Sequence, residues 1–445
     1  MQRLLRNQQN RLFPGHVFQL NNGLTVVHQY IPSTPVAVAD VWINAGAKIE
    51  PTSWLGMAHF LEHMIFKGTK NIYPGEFDYK IENTGGITNA ATSHDYVHYF
   101  LTTAATHLSE TLPYLAEILL QAEIPEVEFY REREVVLEEI RQCYDDPDWI
   151  GFQSLCEIIY ESHPYGRGIL GEEELLRQHT PNQMRCFHKT HYQPENMTVV
   201  ITGGIKQEQA LSLVAECFLD FSIRSECPPH HIVAEAPIIG VRRQEIALPR
   251  IEHARLGMGW LGPNVEQLAD ALALEMLSII LAGGRSSRLI SKLREEQQLV
   301  LDITSEYSLQ QDSSLFTISA WLEPEYIFKV EAAICAEIER LQNELITEAE
   351  LAKNKRILRN DYLFSTETPA QLAGLYGYYQ TIASAELSLS YPIIIERLTV
   401  QDLQRVARQY LSVEHYAIST LYPDSLITNN NLHANSNIEL SARNN

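Results

Sequence analysis

Residues 57–69 read MAHFLEHMIFKGT, a mostly apolar stretch that nevertheless carries His59, Glu62 and His63 within five residues. An α-helix advances about 100° per residue, so these three share an arc of roughly 100° while Met57, Ala58, Leu61, Met64 and Ile65 cover the opposite side. A solvent face would normally carry lysines, arginines and mobile carboxylates. Two imidazoles one turn apart can instead reach a single ion. The plainer alternative is a pair of partly buried histidines oriented by Glu62. A zinc site requires a further protein ligand, because two helical histidines leave half a tetrahedron open.

The bulk properties narrow the field. The chain has 445 residues, enough for two domains with separate cores, and carries a net charge of −22 from 56 acidic against 34 basic residues. Phosphate binding needs a basic surface, so nucleic acid is not an expected partner, whereas neutral or basic peptides are compatible. Cys143, Cys156, Cys186, Cys217, Cys227 and Cys335 include no CxxC pair, which suggests reduced thiols in a cytoplasmic protein. No apolar run reaches the roughly 18 residues of a membrane span; the greasiest stretch, LADALALEMLSIILAGG, contains Asp270 and Glu275. The opening MQRLLRNQQNRLF is basic but lacks the apolar core of a secretory signal, and reads as an ordinary lead-in rather than a targeting segment.

LTVVHQY and VAVADVWINAG are strand-like, the segment from Gly86 to Phe100 alternates as a strand, and helices run from about Leu108 to Asp145. FSIRSECPPHHIVAEAPIIG has no helical period and reads as a link between domains. On either side of it a pattern recurs. Thr180, Met184 and Tyr192 lead into a strand from Met197 to Thr202, and Thr399, Leu403 and Tyr410 into one from Tyr416 to Leu421. Each is a capped helix followed by a buried strand, at an offset of about half the chain, which suggests duplicated halves. The expected division is residues 1–222, a linker at 223–245, a second domain at 246–424 and a disordered tail at 425–445. GGRSSRL follows a helix and lacks a GK[ST] ending, so it reads as a helix cap rather than a phosphate loop.

Candidates for the further ligand lie in EFYREREVVLEEIRQCYDD. On a wheel centred on Val135, Glu132 and Glu139 fall on the apolar face with Val136 and Ile140, whereas Glu134 and Glu138 fall among Arg141 and Gln142. A carboxylate on an apolar stripe is costly unless paired or bound to a metal, so Glu132 and Glu139 each require a partner.

HFLEH followed by REREVVLEEI resembles the inverted-motif zinc peptidases of the pitrilysin (M16) family, in the branch of the mitochondrial processing peptidases and their bacterial relatives. GGITNAATSHDYVHYF, HPYGRGILG and LREEQQL extend the resemblance over nearly the whole chain. It implies an α+β fold of two duplicated α/β domains forming a clamshell chamber, with the zinc-binding domain first. It also implies Zn2+ held by His59, His63 and Glu139, Glu62 as general base, Glu132 as a supporting acid, and peptide substrates gripped at Asn89, Ala90 and Arg294. Polar His94, Asp95 and His98 are weaker candidates for a supporting role. The family usually pairs an Arg such as Arg294 with a Tyr seven residues later; that position is Leu301 here, and the usual Gly is Gln298. The resemblance therefore implies a zinc metalloendopeptidase acting as a dimer, with a zinc-less M16 paralogue as one partner able to supply the missing groups. Tyr307 is the alternative source of a phenol. The competing function is a non-catalytic scaffold subunit of a peptidase-like complex, which zinc content would distinguish.

Overall fold

The computed structural model describes residues 13–230, 232–249 and 251–424. The lead-in at 1–12 and the tail at 425–445 lie outside the described residues. The first sheet contains β1 (His16–Gln19), β2 (Thr25–Tyr30), β3 (Val36–Ile43), β4 (Ile87–Thr92), β5 (Val97–Ala104) and β6 (Met197–Gly203), in the order β1-β2-β6-β3-β5-β4. The second contains β7 (Val241–Leu248), β8 (Ala254–Gly262), β9 (Asp302–Leu309), β10 (Ser314–Leu322) and β11 (Tyr416–Pro423), in the order β7-β11-β8-β10-β9.

Apart from β1, which has no counterpart in the second sheet, the pairing senses correspond strand for strand. β7 runs parallel to β11 as β2 does to β6, and the remaining neighbours are antiparallel in both sheets. The repeated cap-helix-strand pattern is part of this duplication. Thr180 and Gln183 form a reciprocal cap on the helix Pro181–His191, and Thr399 and Asp402 form one on Val400–Tyr410. Each cap satisfies backbone amides that a helix start leaves without partners. β6 and β11 then follow within a few residues, as central strands.

The chain forms two compact units that are not continuous in sequence. The described parts of 1–141, 167–233 and 358–394 form one, and those of 142–166, 234–357 and 395–445 the other. The helix Pro369–Ile382, from the second half of the chain, covers one face of the first sheet, packing Leu372, Ala373 and Tyr376 on Val27, Val38, Trp42 and Val200. In the second unit the helix Pro147–Ile159 covers β8, with Ile159 against Gly259. A division at 223–245 follows the chain between the sheets, but each half lends the other a covering helix. β3 and β6 are consequently buried on both faces, which is why, apart from buried Asp40, Thr198 and Thr202, their sequences are apolar without alternation.

The segment from Gly86 to Phe100, expected as one strand, is a hairpin instead. β4 ends at Thr92, Ser93 N–H donates to Tyr96 O at 2.7 Å, and β5 starts at Val97. The turn contains no glycine, so the sequence carried little sign of it.

Gly377 lies where the exchanged helix meets the indole of Trp42, with no room for a Cβ, whereas Gly374 on the same helix faces open space. Gly377→Ala is therefore expected to lower thermal stability by the equivalent of about 2 kcal/mol, an overpacking cost. Gly374→Ala should be neutral or stabilising by up to about 1 kcal/mol. Thermal melts of the two variants test whether 358–394 belongs to the first unit.

A candidate metal centre

The helix Met57–Ile65, the histidine helix, starts from Gly56 at φ +84°, a left-handed conformation that glycine adopts readily. A side chain at Gly56 would press on Leu170 O and one at Gly171, φ +74°, on Leu55 O, so two backbones meet here without side chains between them. No neighbouring side chain caps the helix locally. Glu50 does so from a distance: its carboxylate accepts from Gly56 N–H at 2.9 Å and from Ala58 N–H at 2.6 Å. Burial pushes the Glu50 carboxyl up to about 8, against the pull of these two amides and of the Arg167 charge.

The register set at that end decides what faces what. Met57, Ala58, Phe60, Leu61, Met64 and Ile65 are buried in the core, His59 is buried, and Glu62 and His63 are half-buried on the remaining face. Opposite them stands the helix Glu126–Asp145, the glutamate helix. His59 Nε2 lies 3.7 Å from Glu139 Oε1, and His63 Nε2 3.6 Å from Glu139 Oε2. These separations are long for hydrogen bonds. Two ligand atoms at tetrahedral positions on one zinc ion stand about 3.3 Å apart, so the spacing suits donors that share an ion. The three donors are mutually within 4.8 Å, and the described residues contain no other such group of histidine, cysteine and carboxylate.

The protonation state of His59 also fits zinc. Burial, followed by the charge of His63, lowers His59 to about 3, so its imidazole is neutral. Its buried Nδ1 has no hydrogen-bond partner among the described residues, so nothing fixes the proton on Nε2. His63 Nδ1 lies 3.0 Å from Glu132 Oε1, and Glu132 Oε2 lies 2.7 Å from Lys67 Nζ. This chain assigns the His63 proton to Nδ1 and turns Nε2 towards Glu139 and His59. Burial would raise the Glu132 carboxyl, but the hydrogen bonds from His63 and Lys67 outweigh it and hold it below its ordinary value. Two nitrogens and one carboxylate with this buttressing are a zinc-type donor set.

Glu138 is exposed and paired with Arg141 at 3.2 Å, and Glu134 is exposed near Arg133 and Arg177; Glu132 is buried beside Val136 and Ile140, as the wheel expected, but Val135 at the wheel's centre is exposed and Glu139 is half-exposed, so Glu139 does not lie on a buried apolar face. Glu62 accepts a hydrogen bond from Thr92 Oγ1 at 2.6 Å. Burial raises its carboxyl above the usual range, Glu139 adds to this, and Thr92 and His63 draw it back. Three contributors escaped the sequence reading as supports. Lys67 lies one turn beyond His63, Thr92 ends the strand that carries Asn89 and Ala90, and Glu50 is linked to the helix only through space.

The other candidates are placed elsewhere. His94 Nε2 lies 2.9 Å from Arg167 O, Asp95 forms a buried 2.7 Å ion pair with Lys48, and His98 Nδ1 is 3.0 Å from Asp40 Oδ1. These bonds hold the hairpin and its sheet. Asn89 and Ala90 lie on β4, the edge strand, where Asn89 Oδ1 accepts from Ala90 N–H at 2.9 Å. Arg294 is in the second unit, paired with Glu295 and Asp302, each at 3.0 Å. Near it, Gln298 adopts φ +52°, the left-handed value for which a glycine is suited, and Leu301 is half-exposed. The Tyr307 hydroxyl is already engaged, donating to Ser314 Oγ at 2.8 Å.

Residues 25–173 match the family described as "Insulinase (Peptidase family M16)", and residues 179–358 match "Peptidase M16 inactive domain". Zinc protease PqqE of Helicobacter pylori is 31% identical over 397 residues, covering 88% of this chain and 89% of that protein. The chain belongs to the M16 peptidase family. A probable mitochondrial-processing peptidase subunit beta of Arabidopsis thaliana is 26% identical, over 92% of this M16 chain and 78% of its own length. The crystal structure of a protease from Helicobacter pylori matches with a TM-score of 0.87 at 29% identity, covering 92% of this chain and 99% of that one. The resemblance first drawn from HFLEH thus holds along the chain, and the fold is the two-domain M16 type, mixing helix and sheet. Among the described residues no helix is long and apolar enough to cross a membrane.

If Glu139 is a ligand and Glu132 a buttress, Glu132→Gln should weaken zinc binding about 10–100-fold. Glu139→Gln should weaken it further, and Glu138→Gln should leave it unchanged. Competition against a chromophoric chelator measures all three.

Proposed function

We propose that this chain is a zinc-dependent endopeptidase acting on extended peptides. The observation that carries the reading is the convergence of His59, His63 and Glu139 with Glu62 on the same face of the histidine helix. Bound zinc would supply a Lewis acid that polarises the scissile carbonyl and lowers the pKa of a water towards about 7. Glu62 then accepts a proton from the attacking water and delivers it to the leaving amine. Thr92 holds Oε2, so Oε1 is the oxygen that exchanges the proton. Glu132 and Lys67 keep the His63 ring in place throughout.

Substrate binding follows from the sheet edge. β4 pairs with β5 on one side only, so an extended peptide can add on the other by main-chain hydrogen bonds, which favours shape over sequence. The Ala90 amide is covered by its neighbour Asn89, whose carboxamide an incoming carbonyl would displace.

The arrangement of Arg294, Leu301 and Tyr307 supports a dimer, with a zinc-less paralogue of the M16 type contributing the Arg and Tyr contacts. Leucine at 301 offers no hydrogen bond, and Arg294 and Tyr307 are committed to neighbours. A scaffold role would leave the four site residues without a task, and it predicts a chain that holds no zinc.

Glu62→Gln is expected to retain zinc and lose peptide hydrolysis by at least about 100-fold, since the amide keeps the shape but accepts no proton. Substantial turnover in that variant would remove Glu62 from the base role. For assembly, the isolated chain should cleave a peptide library poorly, gaining activity with its partner or on Leu301→Tyr. Full activity alone, unaffected by Leu301→Tyr and lost in Tyr307→Phe, would contradict the dimer and make Tyr307 the phenol.

A further inference from the structure

Cys186 and Cys227 stand 41 residues apart in sequence, yet their Sγ atoms lie 3.9 Å apart. Cys186 is on the capped helix Pro181–His191, and Cys227 is in the irregular segment before β7. Several bonds dock that segment along the helix and its exit. Gln193 Nε2 donates to Ser222 O at 3.1 Å, Thr190 Oγ1 donates to Ser225 O at 2.9 Å, and Cys186 Sγ donates to Glu226 O at 3.4 Å. Arg224 pairs with Glu195, and Cys227 Sγ lies 3.2 Å from Thr190 Oγ1. The contact between the sulfurs is therefore part of a fixed register.

Two adjacent thiols can be packing, metal ligands or a disulfide pair. A metal needs further ligands, and among the described residues none completes a set around these sulfurs. Packing alone suits an interior position, but both cysteines are only partly buried, within reach of a small oxidant. A disulfide requires the sulfurs to close from 3.9 Å to about 2.05 Å, roughly 1 Å of movement each.

We propose that Cys186 and Cys227 form a disulfide site that fastens the segment preceding the second sheet onto the first unit. The oxidant is a small disulfide or peroxide. With oxidised glutathione, both protein S–H bonds and the glutathione S–S bond break, the Cys186–Cys227 bond forms, and two glutathione thiols carry away the protons and electrons. With hydrogen peroxide the corresponding products are two waters. The bond closes a long loop, so it restricts the unfolded chain and raises thermal stability.

The test uses the purified full-length chain, reduced and then treated with oxidised glutathione, with thiols counted after denaturation. The expected count falls from six to four, with a mass loss of two hydrogens reversed by dithiothreitol. Trypsin separates the two sites cleanly, because residues 186–189 and 225–242 form peptides with one cysteine each. A linked 186–189/225–242 species that disappears on reduction, and a thermal midpoint several degrees above the reduced form, support the proposal. Cys186→Ser should abolish the linked species and the rise in midpoint. Six titratable thiols after treatment, a mixed glutathione adduct without the cross-link, or a bond between other cysteines would overturn it. The wild-type peptide map decides the matter even if the variant fails to fold.

Discussion

The candidate site depends on the seal at the start of the histidine helix. That helix has nine residues, too few to be stable alone in water, so its position must come from tertiary contacts. The buried Glu50 carboxylate takes the amides of Gly56 and Ala58, the glycine backbones at 56 and 171 abut, and Leu55 O meets the buried ring of His179 at 3.0 Å. A one-residue slip would rotate the helix by about 100°, carrying His59 and His63 away from Glu139 and bringing apolar side chains to the site. The geometry of the three candidate donors is thus set largely by residues outside that trio.

What could be read from the sequence and what could not divide along the range of the interactions. The faces of the histidine and glutamate helices follow a local period, so the shared face of His59, Glu62 and His63 and the burial of Glu132 were legible from spacing, whereas half-exposed Glu139 is marked out by its distances to the two histidines. The capped repeats at Thr180 and Thr399 were legible for the same reason, and their shared sheet topology confirms what they implied. Glu50, Lys67 and Thr92 act through space, and nothing in their own neighbourhoods distinguishes them from surface polar residues. The exchange of the helices Pro147–Ile159 and Pro369–Ile382 was illegible because an apolar helix face does not state which sheet it covers. The β4–β5 hairpin was hidden by a turn that is stabilised by Lys48 and Arg167 rather than by glycine.

Duplication makes the asymmetry of the two halves informative. In the second unit the helix Leu268–Ala282 carries no histidine, and LALEM occupies a helix of mainly buried apolar residues. The second copy therefore retains the architecture without the donors, in keeping with the description "inactive domain" for the family that matches residues 179–358. There the strands and the π-helical turn hold Arg294 and Leu301 in a framework of ion pairs and main-chain bonds.

X-ray absorption at the zinc edge of the purified chain tests the central claim most directly, because it reports both whether zinc is held and by which atoms. About one zinc per chain is expected, with two imidazole nitrogens and the remaining ligands oxygen, at about 2.0–2.2 Å. A sulfur shell near 2.3 Å, or a protein that retains no zinc after careful loading, would contradict it.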